Sequence, residues 1–266
     1  MAASRRGLLE TCTGRVLLAS LHRDNRSSWT RGTLAVSVAA VALTAGMGVA
    51  AARPIGPFEV GGAIEAEYDR AGGPDFFGDP TTPETDAAGG GKKQDFVNNV
   101  SIYWTAATDA HAIGGSIRDK WRGIGAESGS LKYPVVDEGD TSKPGRFQHF
   151  QGGSIYWSVG SGTHVISGVI RDKYSSVGWE SSPLGFPIAD ENKTNSSTTH
   201  EQLFEGGAIY STQKTGTHIV WGSIRDEWVR NGAENGRYGY PTSDEYDYEG
   251  GKAQNFQGGK VTWKPE

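Results

Sequence analysis

Apolar residues in this chain follow two alternating rhythms, one helical and one strand-like, and the pair recurs four times. The helical rhythm sets Ile117, Trp121 and Ile124, then Ile170, Tyr174 and Val177, at i, i+4 and i+7, with Ile64 and Tyr68 and Ile224 and Trp228 as shorter versions. That spacing predicts amphipathic helices of about two turns. Ser116-Ile-Arg-Asp119 and Ser223-Ile-Arg-Asp226 match a capping box at their starts. Eight residues after each leading isoleucine stands a glycine, Gly72, Gly125, Gly178 or Gly232. Glycine there predicts a left-handed residue just past each helix, because it takes positive φ without a Cβ penalty.

The strand rhythm is clearest in Ser154-Ile-Tyr-Trp-Ser158 and is echoed by Ser101-Ile-Tyr-Trp-Thr105, Ala208-Ile-Tyr-Ser211 and Lys260-Val-Thr-Trp263. Gly160-Ser-Gly162 then turns the chain into a second strand, Thr163-His-Val-Ile166, which makes a hairpin. Ahead of the strands stand Phe150-Gln-Gly-Gly153, Phe204-Glu-Gly-Gly207 and Phe256-Gln-Gly-Gly259, with Phe96-Val-Asn-Asn99 in the first unit. Asn in place of Gly reads as a requirement for positive φ. The last unit reaches Trp263-Lys-Pro-Glu266 without a second strand, whereas Ile55–Val60 precedes the first helix in the register of one: Val60, Ile113, Ile166 and Val220 each lie four residues before a helix isoleucine. The expected fold is therefore α+β, mainly β. Four helix-plus-hairpin units of about 53 residues, roughly 61–113, 114–166, 167–220 and 221–266, form one domain over 53–266, with 55–60 closing the last hairpin into a propeller-like ring.

Between helix and strand lies a proline segment: Leu184-Gly-Phe-Pro187 followed by Asp190-Glu191, Leu131-Lys-Tyr-Pro134 with Asp137-Glu138, Tyr238-Gly-Tyr-Pro241 with Asp244-Glu245, and Phe76-Phe-Gly-Asp-Pro80. Successive prolines are 54, 53 and 54 residues apart, which means repeated modules rather than one irregular core. These residues resemble the LGFP repeat of secreted actinobacterial proteins, and the resemblance runs from about Phe58 to Trp263. Only one unit carries the literal four letters; the others keep the Pro and vary what precedes it. The resemblance implies binding to the actinobacterial wall, at its arabinogalactan–peptidoglycan layer, as in the repeat modules attached to corynebacterial mycoloyltransferases.

Composition narrows the picture further. The 39 glycines and 27 aromatic residues suit a turn-rich, aromatic-packed β architecture, and a net charge of −5 without a basic face argues against a nucleic-acid partner. Cys12 is the single cysteine, so no intramolecular disulfide framework exists. Residues 1–52 read as a signal peptide, with six arginines up to Arg31, an apolar run Leu34–Leu43 and small residues Ala50-Ala-Ala52; a membrane anchor over Gly32–Ala52 is the alternative. Ser4-Arg5-Arg6-Gly7-Leu8-Leu9 resembles a twin-arginine export motif. The expectation is a secreted, wall-associated monomer with no membrane span in the mature chain.

No nucleophile elbow, His-Glu-Xaa-Xaa-His motif or phosphate-cradling loop is present, and neither catalytic residues nor a cofactor or metal is expected. His111, His164 and His218 occupy matching strand positions, with Phe58 as their fourth counterpart, and are read as bonding a neighbouring loop rather than as metal ligands. The pairs Asp137-Glu138, Asp190-Glu191 and Asp244-Glu245 offer either paired carboxylates or calcium ligands, or more simply caps for local amides. Trp104, Trp157, Tyr210 and Trp263, with Asp137, Asp190 and Asp244, are the candidate ligand-binding residues, since sugar rings stack on aromatic faces; filling inter-unit contacts is the competing role. Asn99-Val-Ser101, Asn192-Lys-Thr194 and Asn195-Ser-Ser197 are formal glycosylation sequons. The sequence thus reads as a non-catalytic module that binds wall polysaccharide. A wall-active hydrolase and a surface module for protein–protein contact are the alternatives.

Overall fold

The computed structural model describes residues 51–193 and 199–266; the leader read over 1–52, but for its last two residues, and the sequon at Asn195 lie outside the described residues. Two short strands, β1 (Arg53–Ile55) and β2 (Phe58–Val60), pair as a hairpin. An antiparallel sheet follows from β3 (Thr85–Ala87), β4 (Gly91–Phe96), β5 (Val100–Thr105) and β6 (Asp109–Gly114). The next contains β7 (Gly139–Asp140), β8 (Arg146–Phe150), β9 (Gly153–Ser158) and β10 (Gly162–Ser167). Then come β11 (Asn192–Lys193), β12 (Thr199–Phe204), β13 (Gly207–Thr212) and β14 (Gly216–Trp221), and last β15 (Tyr246–Tyr248), β16 (Gly251–Phe256) and β17 (Gly259–Trp263). The helices are α1 (Gly62–Arg70), α2 (Gly73–Phe77), α3 (Gly115–Gly123), α4 (Gly168–Ser176) and α5 (Gly222–Arg230).

Each long helix is wedged between two sheets. The core around α3 joins Tyr103 and Ile113 of one sheet to Phe150 and Ile155 of the next. Around α4, Tyr156 and Ile166 meet Phe204 and Ile209, and around α5, Tyr210 and Val220 meet Phe256 and Val261. Both faces of the inner sheets are therefore buried, which is why Ile102 and Tyr103, neighbours that point opposite ways, are both inside. The aromatic of each helix ties it to the proline segment that follows. Tyr68 Oη, Trp121 Nε1, Tyr174 Oη and Trp228 Nε1 donate to the carbonyls of Gly78, Lys132, Gly185 and Gly239 at 3.2, 3.0, 2.9 and 2.9 Å. A phenylalanine at the helix position would leave that carbonyl without its partner.

Those four accepting residues share one backbone conformation, with φ of 67°, 59°, 67° and 65° for Gly78, Lys132, Gly185 and Gly239. The proline two residues on then bridges the tip of its own sheet, pairing Pro80 with Phe96, Pro134 with Phe150, Pro187 with Phe204 and Pro241 with Phe256. The glycines expected past the helices, Gly72, Gly125, Gly178 and Gly232, are left-handed, with φ of 119°, 100°, 96° and 91°.

Three sequence expectations are corrected. The capping boxes do not form: α3 and α5 start at Gly115 and Gly222, one residue before the serines, and their caps Gly114 and Trp221 make no side-chain bond. Gly152, Gly206 and Gly258 at the hairpin tips are not left-handed; a Cβ on them would come within 2.1, 1.9 and 2.0 Å of the carbonyl oxygens of Ser130, Pro183 and Arg237. Close approach, not positive φ, demands glycine there. Asn99 is left-handed (φ 59°) because its tip is one residue longer, pairing Phe96 with Val100 where the second unit pairs Phe150 with Gly153.

The third correction concerns closure. The sheets are open and the propeller-like ring does not form: β17 pairs with β16 alone and β2 with β1 alone. The strand expected to close the last hairpin is committed to the first helix instead. Val60 packs on Ile64 and Tyr68, and Arg53 of β1 holds Glu65 and Asp69 of α1. The hairpin thus stands where a whole sheet stands ahead of the later helices.

One buried side chain marks every boundary. Gln94 Nε2 donates to Glu59 O and Thr82 O, both at 3.0 Å; Gln148 to Ala112 O and Val136 O (2.8 and 2.9 Å); Gln202 to Val165 O and Ala189 O (2.7 and 3.0 Å); Gln254 to Ile219 O and Ser243 O (2.7 and 2.8 Å). Each glutamine spans from its own sheet to the last strand of the preceding element. Among the described residues no helix is long and apolar enough to cross a membrane.

Candidate functional site

The strand tryptophans sit at the end of each sheet remote from the tip, where cross-strand register gives each a basic neighbour. Lys92 lies opposite Trp104, Arg146 opposite Trp157 and Lys252 opposite Trp263; in the third sheet the pair is His200 and Ser211. Every base has an acidic partner. Lys92 donates to Asp86 (2.6 Å), Arg146 to Glu138 and Asp140 (2.7 and 2.6 Å), Lys252 to Asp247 (2.6 Å), and His200 pairs with Glu191. Trp263 is 41% exposed, while Trp104 and Trp157 are half-buried and lean on the cores of α1 and α3. Tyr210 falls one residue out of that position, onto the opposite face. It is buried edge-on against Trp228, and its hydroxyl donates to Glu201 at 2.7 Å.

Trp157 opens into a cleft of about 240 Å³ with Gly115, Ser116, Ile117, Glu138 and Arg146. A second cleft of about 410 Å³ shares Gly115, Glu138 and Arg146 and reaches Arg70, Asp137 and Phe76, whose ring is 45% exposed. Together they place an aromatic ring at either end of a charged middle. At the last sheet Trp263 lines a cleft of about 460 Å³ with Asp226, Arg230 and Lys260.

Asp137, Asp190 and Asp244 lie at the unit boundaries, each between a helix cation and a strand histidine of the preceding unit. Asp137 takes Arg70 and His111 Nδ1 (2.9 Å for the histidine); Asp190 takes Lys120 (2.5 Å) and faces His164 Nδ1 (3.4 Å); Asp244 takes Lys173 and faces His218 Nδ1 (3.6 Å). Two of them also cap backbone, but on the preceding unit rather than locally: Asp190 accepts Val165 N–H at 2.9 Å and Asp244 accepts Ile219 N–H at 3.0 Å. The bond to Asp137 lifts His111 above the ordinary imidazole value. Burial pushes Asp137 upward, yet His111 and Arg70 outweigh it and hold the carboxyl below its usual range. Asp190 is lowered in the same way, with Lys120 overcoming burial. The histidines thus face carboxylates of the next unit. Elsewhere, burial and then the Arg171 guanidinium push His149 down to about 4, so it stays neutral against Ser154 Oγ at 2.7 Å.

Sequence reasoning passed over the boundary glutamines and the cross-strand bases. Their signal was present as Lys92-Lys-Gln94-Asp-Phe96, Arg146-Phe-Gln148-His-Phe150, His200-Glu-Gln202-Leu-Phe204 and Lys252-Ala-Gln254-Asn-Phe256. A base, a glutamine and a phenylalanine alternate on one strand face in every unit.

A family model for the LGFP repeat matches residues 77–129, 131–182, 184–236 and 239–266. The chain belongs to the LGFP repeat family. A search of curated proteins gives no match. In this LGFP chain the four letters have separate physical duties. The first residue fills the core, as Leu131 and Leu184 do at 1% and 0% exposure; the second turns left-handed and offers its carbonyl to the helix aromatic. The third closes over the boundary, and the proline makes a bridge without needing an N–H. The motif named by the family is therefore largely interior, and the side chains left to meet a partner lie beside it.

Proposed function

We propose that this LGFP chain is a secreted, non-catalytic module that holds wall polysaccharide, the arabinogalactan–peptidoglycan layer being the target its family suggests. The observation carrying this reading is the repeated trio of tryptophan, cross-strand base and acid in the first, second and fourth sheets. An indole face accepts the C–H face of a sugar ring, while the charged pair beside it bonds ring hydroxyls. Each contact is weak, and fixed spacing makes them act together. Linked weak sites raise avidity by roughly 10²–10⁴ when one polymer reaches several. A hydrolase that used Asp137 as its general acid has less support, because a general acid must keep its proton, whereas His111 and Arg70 hold the Asp137 carboxyl below its usual range.

Retention of the purified chain on insoluble wall fractions tests the proposal. Trp157→Ala alone should reduce retention several-fold. Trp104→Ala, Trp157→Ala and Trp263→Ala combined should reduce it by about 10² or more. Complete loss from one substitution, with circular dichroism unchanged, would point to a single dedicated site and overturn the multivalent reading; no retention of the parent chain would overturn wall binding itself.

A further inference from the structure

Two clefts on the proline-loop side of the molecule repeat each other. One, of about 650 Å³, is lined by Thr105, Lys132, Tyr133 and Gln151 together with the Gly89-Gly90 turn. The other, of about 510 Å³, is lined by Thr212, Gln213, Lys214, Tyr240 and Gln257. The residues correspond by position in the repeat. Thr105 and Thr212 open the turn of the preceding unit, and their hydroxyls accept turn amides, Thr108 N–H at 3.1 Å and Thr215 N–H at 2.9 Å. Tyr133 and Tyr240 are the third residue of the LGFP segment, and Gln151 and Gln257 sit at the hairpin tip.

The glutamines are oriented. Gln151 Oε1 accepts Tyr133 N–H at 3.3 Å and Gln257 Oε1 accepts Tyr240 N–H at 3.0 Å. With the oxygen spent on backbone, the Nε2 hydrogens are left to donate into the clefts that both side chains line. A lysine joins each cleft from a different place in the repeat, Lys132 from the LGFP segment and Lys214 from the turn. Lys132 is left-handed (φ 59°) where the other three units have glycine, so a side chain is kept there against a conformational cost.

The intervening boundary is built differently. Its third residue is Phe186, whose ring lies against Gly145, and its tip residue is Glu205, whose Oε2 accepts Phe186 N–H at 3.1 Å. A carboxylate makes the same structural bond and has no hydrogens to donate.

From this pattern we propose that the two tyrosine clefts are saccharide subsites separate from the tryptophan trio, in which the amide, the ammonium and the tyrosine ring receive a hydroxyl-rich sugar. This rests on the polysaccharide reading for its ligand and adds a second place where sugar is held. The spacing of two repeats between the clefts leaves alternate boundaries free for structural duty.

Glu205 supplies a variant that the fold already accommodates. Gln151→Glu with Gln257→Glu should keep the bond to the aromatic N–H and remove the donors. The full chain is titrated with soluble arabinogalactan fragments while backbone amide shifts are followed by NMR. The proposal expects shifts at Lys132, Gln151, Lys214 and Gln257, and about tenfold weaker binding at these positions in the double variant, whose remaining spectrum is unchanged. Shifts confined to the surroundings of Trp104, Trp157 and Trp263, or cleft shifts that the double variant leaves intact, would overturn the subsites while sparing the tryptophan reading. An absence of shifts anywhere would overturn both.

Discussion

The proline loops of the third and first units follow one backbone path with different side chains. Leu184-Gly185-Phe186-Pro187 and Phe77-Gly78-Asp79-Pro80 both place a buried residue first, a glycine at φ 67° second and a bridging proline fourth. They part at the third position, where Phe186 is 3% exposed and Asp79 lies at the surface. The cause is the neighbour. Phe186 reaches the preceding four-stranded sheet at Gly145, whereas Asp79 meets the tight β1–β2 turn, where a Cβ on Gly56 would come within 2.6 Å of its side chain. Three letters of the motif answer to the unit's own helix and sheet, and one answers to the unit before it.

That contrast is broken most severely through the first letter. Leu184→Ala should cost ~2–5 kcal/mol, the range for emptying a packed leucine site, while Asp79→Ala should change stability by less than ~0.5 kcal/mol. Urea melts of the two variants check this, and equal losses would dissolve the distinction. Next in size is the helix-to-loop bond. Tyr174→Phe leaves the buried Gly185 carbonyl unpaired and should cost ~1–3 kcal/mol, with Tyr68→Phe costing less because its bond to Gly78 is longer, 3.2 against 2.9 Å. Thermal unfolding of both variants orders them. Smallest, and opposite in sign, is Lys132→Gly. Removing a Cβ from a left-handed residue should stabilise by ~1 kcal/mol, partly offset by the greater freedom of glycine in the unfolded chain. A measured loss would mean that Lys132 makes a compensating contact.

Much of the fold was legible in the chain. Period 3.6 located α1, α3, α4 and α5, though not the five-residue α2, and the glycines behind the four turned out left-handed as their spacing implied. What stayed hidden depends on contacts between units. Strands buried on both faces show no polar phase, so Ile102 and Tyr103 gave no hint that their sheet lies between two helices, α1 and α3. Gln148, with no exposure at all, reads as a surface residue because its partners, Ala112 O and Val136 O, are carbonyls distant in sequence. The ring failed for a related reason: β-branched spacing identified Val60 as a strand residue without saying which helix it serves. In the candidate site, the tryptophan positions were readable by alignment of the repeats, but the bases opposite them are eleven or twelve residues away in sequence, as Arg146 is from Trp157 and Lys92 from Trp104, and only the register joins them.

Because each of α3, α4 and α5 shares its core with two sheets, no inner unit can melt without stripping a face from its neighbours. Opening should begin at an end and travel inward boundary by boundary, as in other nearest-neighbour arrays. Were the protein held at several points along one wall strand, tension would be passed in series through the glutamine and histidine–aspartate links. It would then yield in steps, each releasing one sheet and its helix, and dissipate load while the remaining units kept their grip.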